Sequence, residues 1–203
     1  SASLGMAFPI GDSFDLDFTY GALNALSSGV SGHGVQLSLS RVFEGSPTRK
    51  ISGEQQQWQV GLGISIQPPN ASYMKSRSNV GIQPVMQESS IDYFISKKTY
   101  LTGNAQTTIS GGVAGYAVGL LGLGHEFDLG KLWRISLEAH VGAAGGGGVD
   151  VGKGLLGGAR VEADYLLSSN NAVSFGVGLL KSVDGGVNVP IVQLGFKHRF
   201  KTH

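Results

Sequence analysis

The stretch KLWRISLEAHVG, residues 131–142, alternates between apolar and polar residues without interruption. A period of two is typical of a β-strand, because successive side chains point to opposite faces. One face of this strand is entirely apolar, whereas the other carries Arg134, Glu138 and His140. Either the apolar face is buried in a water-soluble barrel or sandwich, or it points outward from a barrel that lies in a lipid bilayer.

Composition favours the second arrangement and excludes some functions. Charged residues make up only 14% of the chain, which is low for a soluble domain. The net charge of +1 and the scattered aromatic residues do not favour nucleic-acid binding. The chain has no cysteine, so it can form neither a disulfide nor a cysteine metal site. No apolar run reaches the roughly 18 residues of a spanning helix, so a membrane location would require strands.

The same alternation predicts nine strands. Each is about long enough to cross a bilayer at a tilt, for which roughly 9 to 11 residues are needed. Turn sequences such as DLGK, SSNN and DGG separate several of them, as in antiparallel hairpins. The nine segments are 14–21, 34–43, 56–67, 91–101, 115–127, 131–145, 156–168, 172–183 and 188–200.

A closed up-and-down barrel with both ends on one side needs an even number of strands. A tenth strand at 105–112 or at the N-terminus gives ten, which we expect, and merging two weak segments gives eight, which is the alternative. The expected fold is all-β: a closed antiparallel up-and-down transmembrane β-barrel that forms a single domain over residues 1–203. A long loop is expected at about 68–90, where three prolines argue against a central strand.

Antiparallel registers for the last five strands can be chosen that place aromatic residues beside each other on the apolar face. Trp133 then pairs with Phe127 and with Tyr165, and Phe175 pairs with Tyr165 and with Phe196. An aromatic row near one edge of an apolar band is favoured at a membrane interface, whereas a soluble core has no reason to form one. The expected row is Phe127, Trp133, Tyr165, Phe175 and Phe196.

The same registers place opposite charges beside each other on the polar face. Arg134 falls between Glu126 and Asp164, and Arg160 falls opposite Glu138; like charges in those places would be destabilising. Strands 56–67 and 172–183 carry mainly Gln, Gly and Ser on this face, which suits a crowded lumen. We therefore expect the polar face to point inward, with a lumen charge network of Glu126, Arg134, Glu138, His140, Arg160, Glu162 and Asp164.

The last predicted strand ends in VQLGFKHRF, residues 192–200. It resembles the C-terminal signature of bacterial outer-membrane β-barrel proteins, in which a polar residue, a glycine and alternating large apolar residues end in Phe. The matching positions are Gln193, Gly195, His198 and Phe200; the residues after Phe200 depart from the pattern, since the aromatic normally ends the chain. The resemblance implies an outer-membrane location with the signal peptide removed, and contacts with outer-membrane lipid, lipopolysaccharide and the barrel-insertion machinery.

Three functions stay open for such a protein. A barrel of eight to ten strands is narrow enough for side chains to fill, so a filled barrel would act through its loops as a structural, surface-interaction or envelope-assembly component with an envelope protein partner. A narrow channel for a small polar or amphiphilic solute is the second function. The third is a lipid-modifying enzyme that uses His125 or His198 near the aromatic edge.

Sidedness and the minor motifs complete these expectations. The short turns near the aromatic row would lie on the periplasmic side, and the loops at 146–154 and 184–186 on the outer rim. His140 with Glu138 and Glu162 is a poor metal ligand set. GGVDVGKG, 147–154, lacks the Ser or Thr and the following helix of a phosphate-binding loop, and it predicts a mobile hairpin loop. No catalytic residue, metal or cofactor is therefore expected.

Overall fold

The computed structural model contains strands, turns and loops. Among the described residues, no helix is long and apolar enough to cross a membrane. The chain divides into two compact units, Ser1–Gln56 with Lys201–His203, and Gln57–Phe200. The structure describes the backbone of residues 2–10, 14–24 and 31–41, and both backbone and side chains of residues 56–68, 74–75, 83–113 and 115–202.

Eleven strands follow one another along the described chain. The first three, β1 to β3, form an antiparallel sheet of their own. The remaining eight, β4 to β11, close into a barrel in which β11 is the neighbour of β4. The strands are β1 (Ala2–Ile10), β2 (Phe14–Asn24), β3 (Ser31–Arg41), β4 (Gln56–Ile66), β5 (Val85–Phe94), β6 (Thr99–Ser110), β7 (Ala117–Leu129), β8 (Trp133–Gly145), β9 (Leu155–Leu166), β10 (Asn171–Ser182) and β11 (Asn188–Thr202).

The closed, antiparallel, all-β barrel is confirmed, but the preferred count of ten strands is wrong and the alternative of eight is right. Two predicted strands, 14–21 and 34–43, belong to the separate three-stranded sheet. The predicted strand 91–101 is two strands, because a turn at residues 95–98 separates β5 from β6. The predicted extra strand at 105–112 is the second half of β6.

The loop expected at 68–90 is shorter than predicted, because β5 already begins at Val85. The alternation that marks β5 is weak, since the outward positions Gln87 and Ser89 are polar. Residues 67, 68, 74, 75, 83 and 84 of the connection between β4 and β5 are described, and the rest lie outside the described residues. Alternation of apolar and polar residues therefore predicts a strand well only where the two faces of the strand differ in polarity.

The barrel wall has apolar residues outside and polar residues inside. On β8, Trp133 and Leu137 are about half exposed, whereas Arg134 and Glu138 are buried. This order repeats on β7, β9 and β10, whose exposed positions carry Leu, Val and Phe. The polar face therefore points into the lumen, as the sequence indicates.

The two ends of the barrel differ in their connections. At one end the turns at 95–98, 130–132 and 167–170 are tight, and we call this the tight-turn end. At the other, the loop end, longer connections join β4 to β5, β6 to β7 and β8 to β9, together with the turn at 183–187. The expectation that the loop at 146–154 and the 184–186 turn share the rim opposite the tight turns matches this arrangement.

Three of the four predicted registers are shifted by two residues. Between β8 and β9 the prediction is right: Trp133 faces Tyr165. Elsewhere Trp133 faces Leu129, not Phe127, and Tyr165 faces Val173, not Phe175. Phe196 also faces Val173, not Phe175. A shift of two keeps every residue on its predicted face, because the side-chain period of a strand is also two.

Candidate functional site

The barrel lumen is filled by two layers of side chains, and it is the candidate functional site. The layer nearer the tight-turn end is charged and hydrogen-bonded, whereas the layer nearer the loop end is apolar. We call them the charged layer and the apolar layer. Part of the charged layer was expected from the sequence, whereas the apolar layer was not.

Arg134 is the centre of one half of the charged layer. Its guanidinium Nε lies 3.2 Å from Oε1 of Glu126, and its second terminal nitrogen lies 3.0 Å from Oδ2 of Asp164. The Cα register sets Arg134 opposite Asp128, yet its side chain reaches Glu126, so the predicted Glu126–Arg134–Asp164 cluster is present. Arg199 of β11 also pairs with Glu126 across the lumen.

Arg160 and Lys197 organise the other half of the charged layer. Arg160 donates to Oε2 of Glu138 at 2.6 Å, and it also pairs with Glu88 of β5. Lys197 Nζ lies 2.9 Å from Oε2 of Glu162 and 3.1 Å from Oδ1 of Asp164. Because the side chains of these groups are nine-tenths or more buried, their charges must compensate each other or the desolvation cost is several kcal/mol per ion.

Glu138 contacts His140, which was predicted to lie in the network, and Tyr100, which was not. The hydroxyl of Tyr100 donates to its Oε1 at 2.6 Å, and Nε2 of His140 lies 3.2 Å from its Oε2. His140 is thus engaged by one carboxylate inside the network. Among the described residues, no group of three or more His, Cys, Asp and Glu side chains is arranged to hold a metal ion.

Glycines in the wall let the long side chains cross the lumen. Tyr100 on β6 reaches Glu138 on β8 by passing over Gly124 on β7, and a Cβ added at Gly124 would fall on its ring. A Cβ at Gly176 would meet the side chains of Glu162 and Arg160. The absence of side chains at these places therefore allows residues on one strand to reach partners two strands away.

The apolar layer closes the lumen at the loop end. From the wall, Met86, Leu120, Leu156, Leu180 and Val189 are buried together and point inward. The connections add further apolar side chains to the same cluster, and these cover it from the rim. The added residues are Met74, Val113, Tyr116, Val149, Val151 and Val187.

The segment 147–154 does not resemble a free hairpin loop, in contrast to the expectation. Val149 and Val151 are buried in the apolar layer, and Val149 forms a β-bridge with Met74. The amide of Lys153 donates to Oδ1 of Asp184 at 3.0 Å, which ties the segment to the 183–187 turn. The segment is therefore a lid over the lumen.

The predicted aromatic residues are all on the exterior, each between 39 and 51% exposed. They do not form one straight row, because of the register shifts. The Trp133 and Tyr165 rings meet edge to face, with centroids 5.1 Å apart. Phe196 continues this row across Val173, whereas Phe127 and Phe175 lie two residues farther along their strands. The aromatics therefore form a band near the tight-turn end.

The two histidines of the enzyme hypothesis are not brought together. His125 is on β7 and His198 on β11, and these strands are four apart in a barrel of eight, on opposite sides. His125 hydrogen-bonds the hydroxyl of Thr99 at 2.9 Å, and His198 bonds the amide oxygen of Asn171 at 2.9 Å. Neither of these partners is a carboxylate.

The C-terminal signature positions divide between the two faces of β11. Gln193 is buried and bonds Arg160. Gly195 faces the backbone of Leu62 and Gly63 on β4, where the barrel closes. His198 is outward, and its ring stacks with that of Phe200 at 6.1 Å. The strand continues past Phe200 to Thr202.

Strands β5, β6 and β11 contribute to the charged layer residues that were not predicted. Glu88 lay within the segment predicted to be a loop. Lys197 and Arg199 could have been found, because they alternate with the outward Phe196 and His198. The apolar layer also left a signal: runs such as VGLLGLG and GVGLLK are apolar at both alternating positions, which indicates that both faces are apolar there.

No protein-family model matches this chain, and none of the curated proteins matches it either. Among solved structures, neisserial surface protein A is 13% identical and matches over 73% of this chain and 97% of its own, with a TM-score of 0.47. Ail, the attachment invasion locus protein of Yersinia pestis, solved with the heparin analogue sucrose octasulfate, is 14% identical over 72% of this chain and 100% of its own, with a TM-score of 0.46. A de novo designed transmembrane β-barrel is 14% identical over 72% of this chain and 95% of its own, with a TM-score of 0.47. These values carry no information about function.

Proposed function

We propose that this chain is an integral bacterial outer-membrane β-barrel with a closed lumen, which acts as a structural, surface-interaction or envelope-assembly component. The polarity of the wall supports the membrane location. Exposed apolar side chains such as Leu121, Leu137 and Val177 surround a lumen that buries ion pairs, which is the order expected when the outer solvent is hydrocarbon. The aromatic band at one end and the C-terminal signature agree with it.

The observation that carries the closed-lumen proposal is the stacking of two layers with different chemistry. The charged layer alone could be rearranged by a passing ion or solute. The apolar layer above it offers a solute no hydrogen bonds, and the lid segment with Val149 and Val151 covers it. The polar pocket within the wall, which Gly61, Glu88, Ser174 and Lys197 help to line, has no room for a water molecule. A barrel with a closed lumen would act through its exterior and its loops, with outer-membrane lipid, lipopolysaccharide and an envelope protein as partners.

Two measurements test this proposal. Folded transmembrane barrels resist detergent, so the purified protein should migrate differently on a gel before and after boiling; an unchanged band contradicts the membrane barrel. In planar bilayers the folded protein should give no stepwise current. Stepwise currents from the unmodified protein would contradict the closed lumen and support the second candidate function, a narrow channel for a small polar or amphiphilic solute.

A further inference from the structure

The exposed surface of the tight-turn end carries large aliphatic side chains. The tight turns each present a large aliphatic side chain that is more than half exposed: Ile95, Leu132 and Leu167. They lie just beyond the aromatic band and continue the apolar exterior of the barrel to its rim. A surface of this kind is continuous with the face that we propose to contact lipid.

Lysines accompany the aliphatic residues in two of these turns. Lys97 and Lys98 follow Ile95, and Lys131 precedes Leu132. Lys98 is occupied, since its Nζ lies 3.0 Å from Oδ2 of Asp128. Within the described barrel, Lys97 and Lys131 are exposed and take part in none of the ion pairs, of which that of Lys98 is the nearest, so both ammonium groups can bind an anion from outside the chain.

The two free lysines are close enough to act on the same ligand. Their turns join β5 to β6 and β7 to β8, and neighbouring strands lie about 4.8 Å apart, so the turns are separated by roughly 10 Å. Trp133 is two residues from Lys131 on the exterior, and Phe127 and Leu129 on the neighbouring strand extend the apolar surface away from the rim. An anionic group bound by the lysines would therefore carry its apolar tail along β7 and β8.

From this arrangement we propose that Lys97 and Lys131 form a binding site for the headgroup of an anionic phospholipid, whose acyl chains lie against Trp133 and the exterior of β7 and β8. The proposal rests on the proposed membrane location. Long Lys side chains extend from the edge of an apolar surface to the headgroups, and each lysine near an anionic membrane surface strengthens binding about fivefold. Lys153, in the lid segment at the loop end, is 3.9 Å from Asp184, so its charge is already partly balanced.

Trp133 provides the reporter for a direct test. The chain has two tryptophans, so the Trp58→Phe variant leaves Trp133 as the single tryptophan, whose fluorescence is followed. This variant is inserted into phosphatidylcholine vesicles that contain a minor fraction of phosphatidylglycerol. Bromine, a short-range quencher, is carried either by the phosphatidylglycerol or by an equal fraction of the phosphatidylcholine.

The expected result is stronger quenching of Trp133 by the brominated anionic lipid, corresponding to a local enrichment of up to roughly thirtyfold, or about fivefold for each lysine. Lys97→Gln with Lys131→Gln should remove the enrichment, whereas the matched loop-end variant Lys153→Gln should keep it. Equal quenching by the two lipids, or an enrichment that survives the double substitution, overturns the lipid site. If neither lipid quenches Trp133, the membrane orientation itself fails, so the two failures are distinguishable.

Discussion

The ring of Tyr100 lies over Gly124, its direct partner on the neighbouring strand, and its hydroxyl donates to Glu138 one strand farther on. A side chain at position 124 would occupy the space of the ring. The glycine is therefore required by a contact, and the contact joins three strands inside the lumen.

Gly124→Ala should destabilise the barrel, because the methyl group would collide with the Tyr100 ring. Overpacking of this kind costs typically 1 to 3 kcal/mol, measurable as a loss in the free energy of unfolding by denaturant in lipid vesicles. Adding Tyr100→Ala to Gly124→Ala should cost less than the sum of the two single changes. Strict additivity would show that the ring and the glycine are not in contact.

Arg160→Met should be among the most destabilising single substitutions. It leaves the buried carboxylates of Glu138 and Glu88 without their cation, and breaking a buried pair from one side costs roughly 3 to 5 kcal/mol. Adding Glu138→Gln to Arg160→Met should recover part of the loss. Lys153→Met is the matched control: this lysine is 93% exposed, and its replacement should leave the unfolding midpoint unchanged. Equal effects of the two Met variants would contradict a buried network.

Leu137→Arg tests the direction of the apolar face. Leu137 is exposed in the middle of β8, so a charge there would be placed in hydrocarbon, at a cost of roughly 2 to 4 kcal/mol near the midplane. The same substitution at Ser169, in a tight turn, should have little effect on unfolding in lipid vesicles. If Leu137→Arg were tolerated as well as Ser169→Arg, the exterior of β8 would not face lipid.

The two interior layers should have to be disrupted together before ions pass. Arg134→Ala alone should give no stepwise current in planar bilayers, since the apolar layer still closes the lumen. Combining it with Val149→Asp and Val151→Asp, which should expel the lid from the apolar layer, is expected to produce steps. A current from Arg134→Ala alone would mean that the charged layer is the only barrier.

The two exterior histidines lie on opposite sides of the barrel and cannot share one lipid-modifying site, and among the described residues neither has a carboxylate partner that would make it a general base. Incubation of the folded protein with labelled phospholipid and lipopolysaccharide should give no product, and His125→Ala and His198→Ala should behave like the unmodified chain. Turnover that either substitution abolishes would restore the enzyme hypothesis and identify its residue.

Much of the architecture could be predicted from the order of the residues alone. Alternation places Trp133 and Leu137 on one face and Arg134 and Glu138 on the other, and a shift in register by two residues leaves those faces unchanged. For that reason the charged residues lie on the inward face even where their predicted strand partners were wrong. The pairing of Arg134 with Glu126 and Asp164 also follows from charge complementarity between neighbouring strands.

Other features depended on contacts that no local pattern contains. The period of two says nothing about how many strands close the sheet, so β1 to β3 could not be separated from the barrel by their sequence. It also says nothing about side chains that cross the lumen over glycines, as Tyr100 and Arg160 do, or about a loop that folds back to cover the apolar layer. These features depend on long-range contacts, which form only when strands distant in the chain become neighbours in space. The face on which each residue lies depends only on the geometry of its own strand.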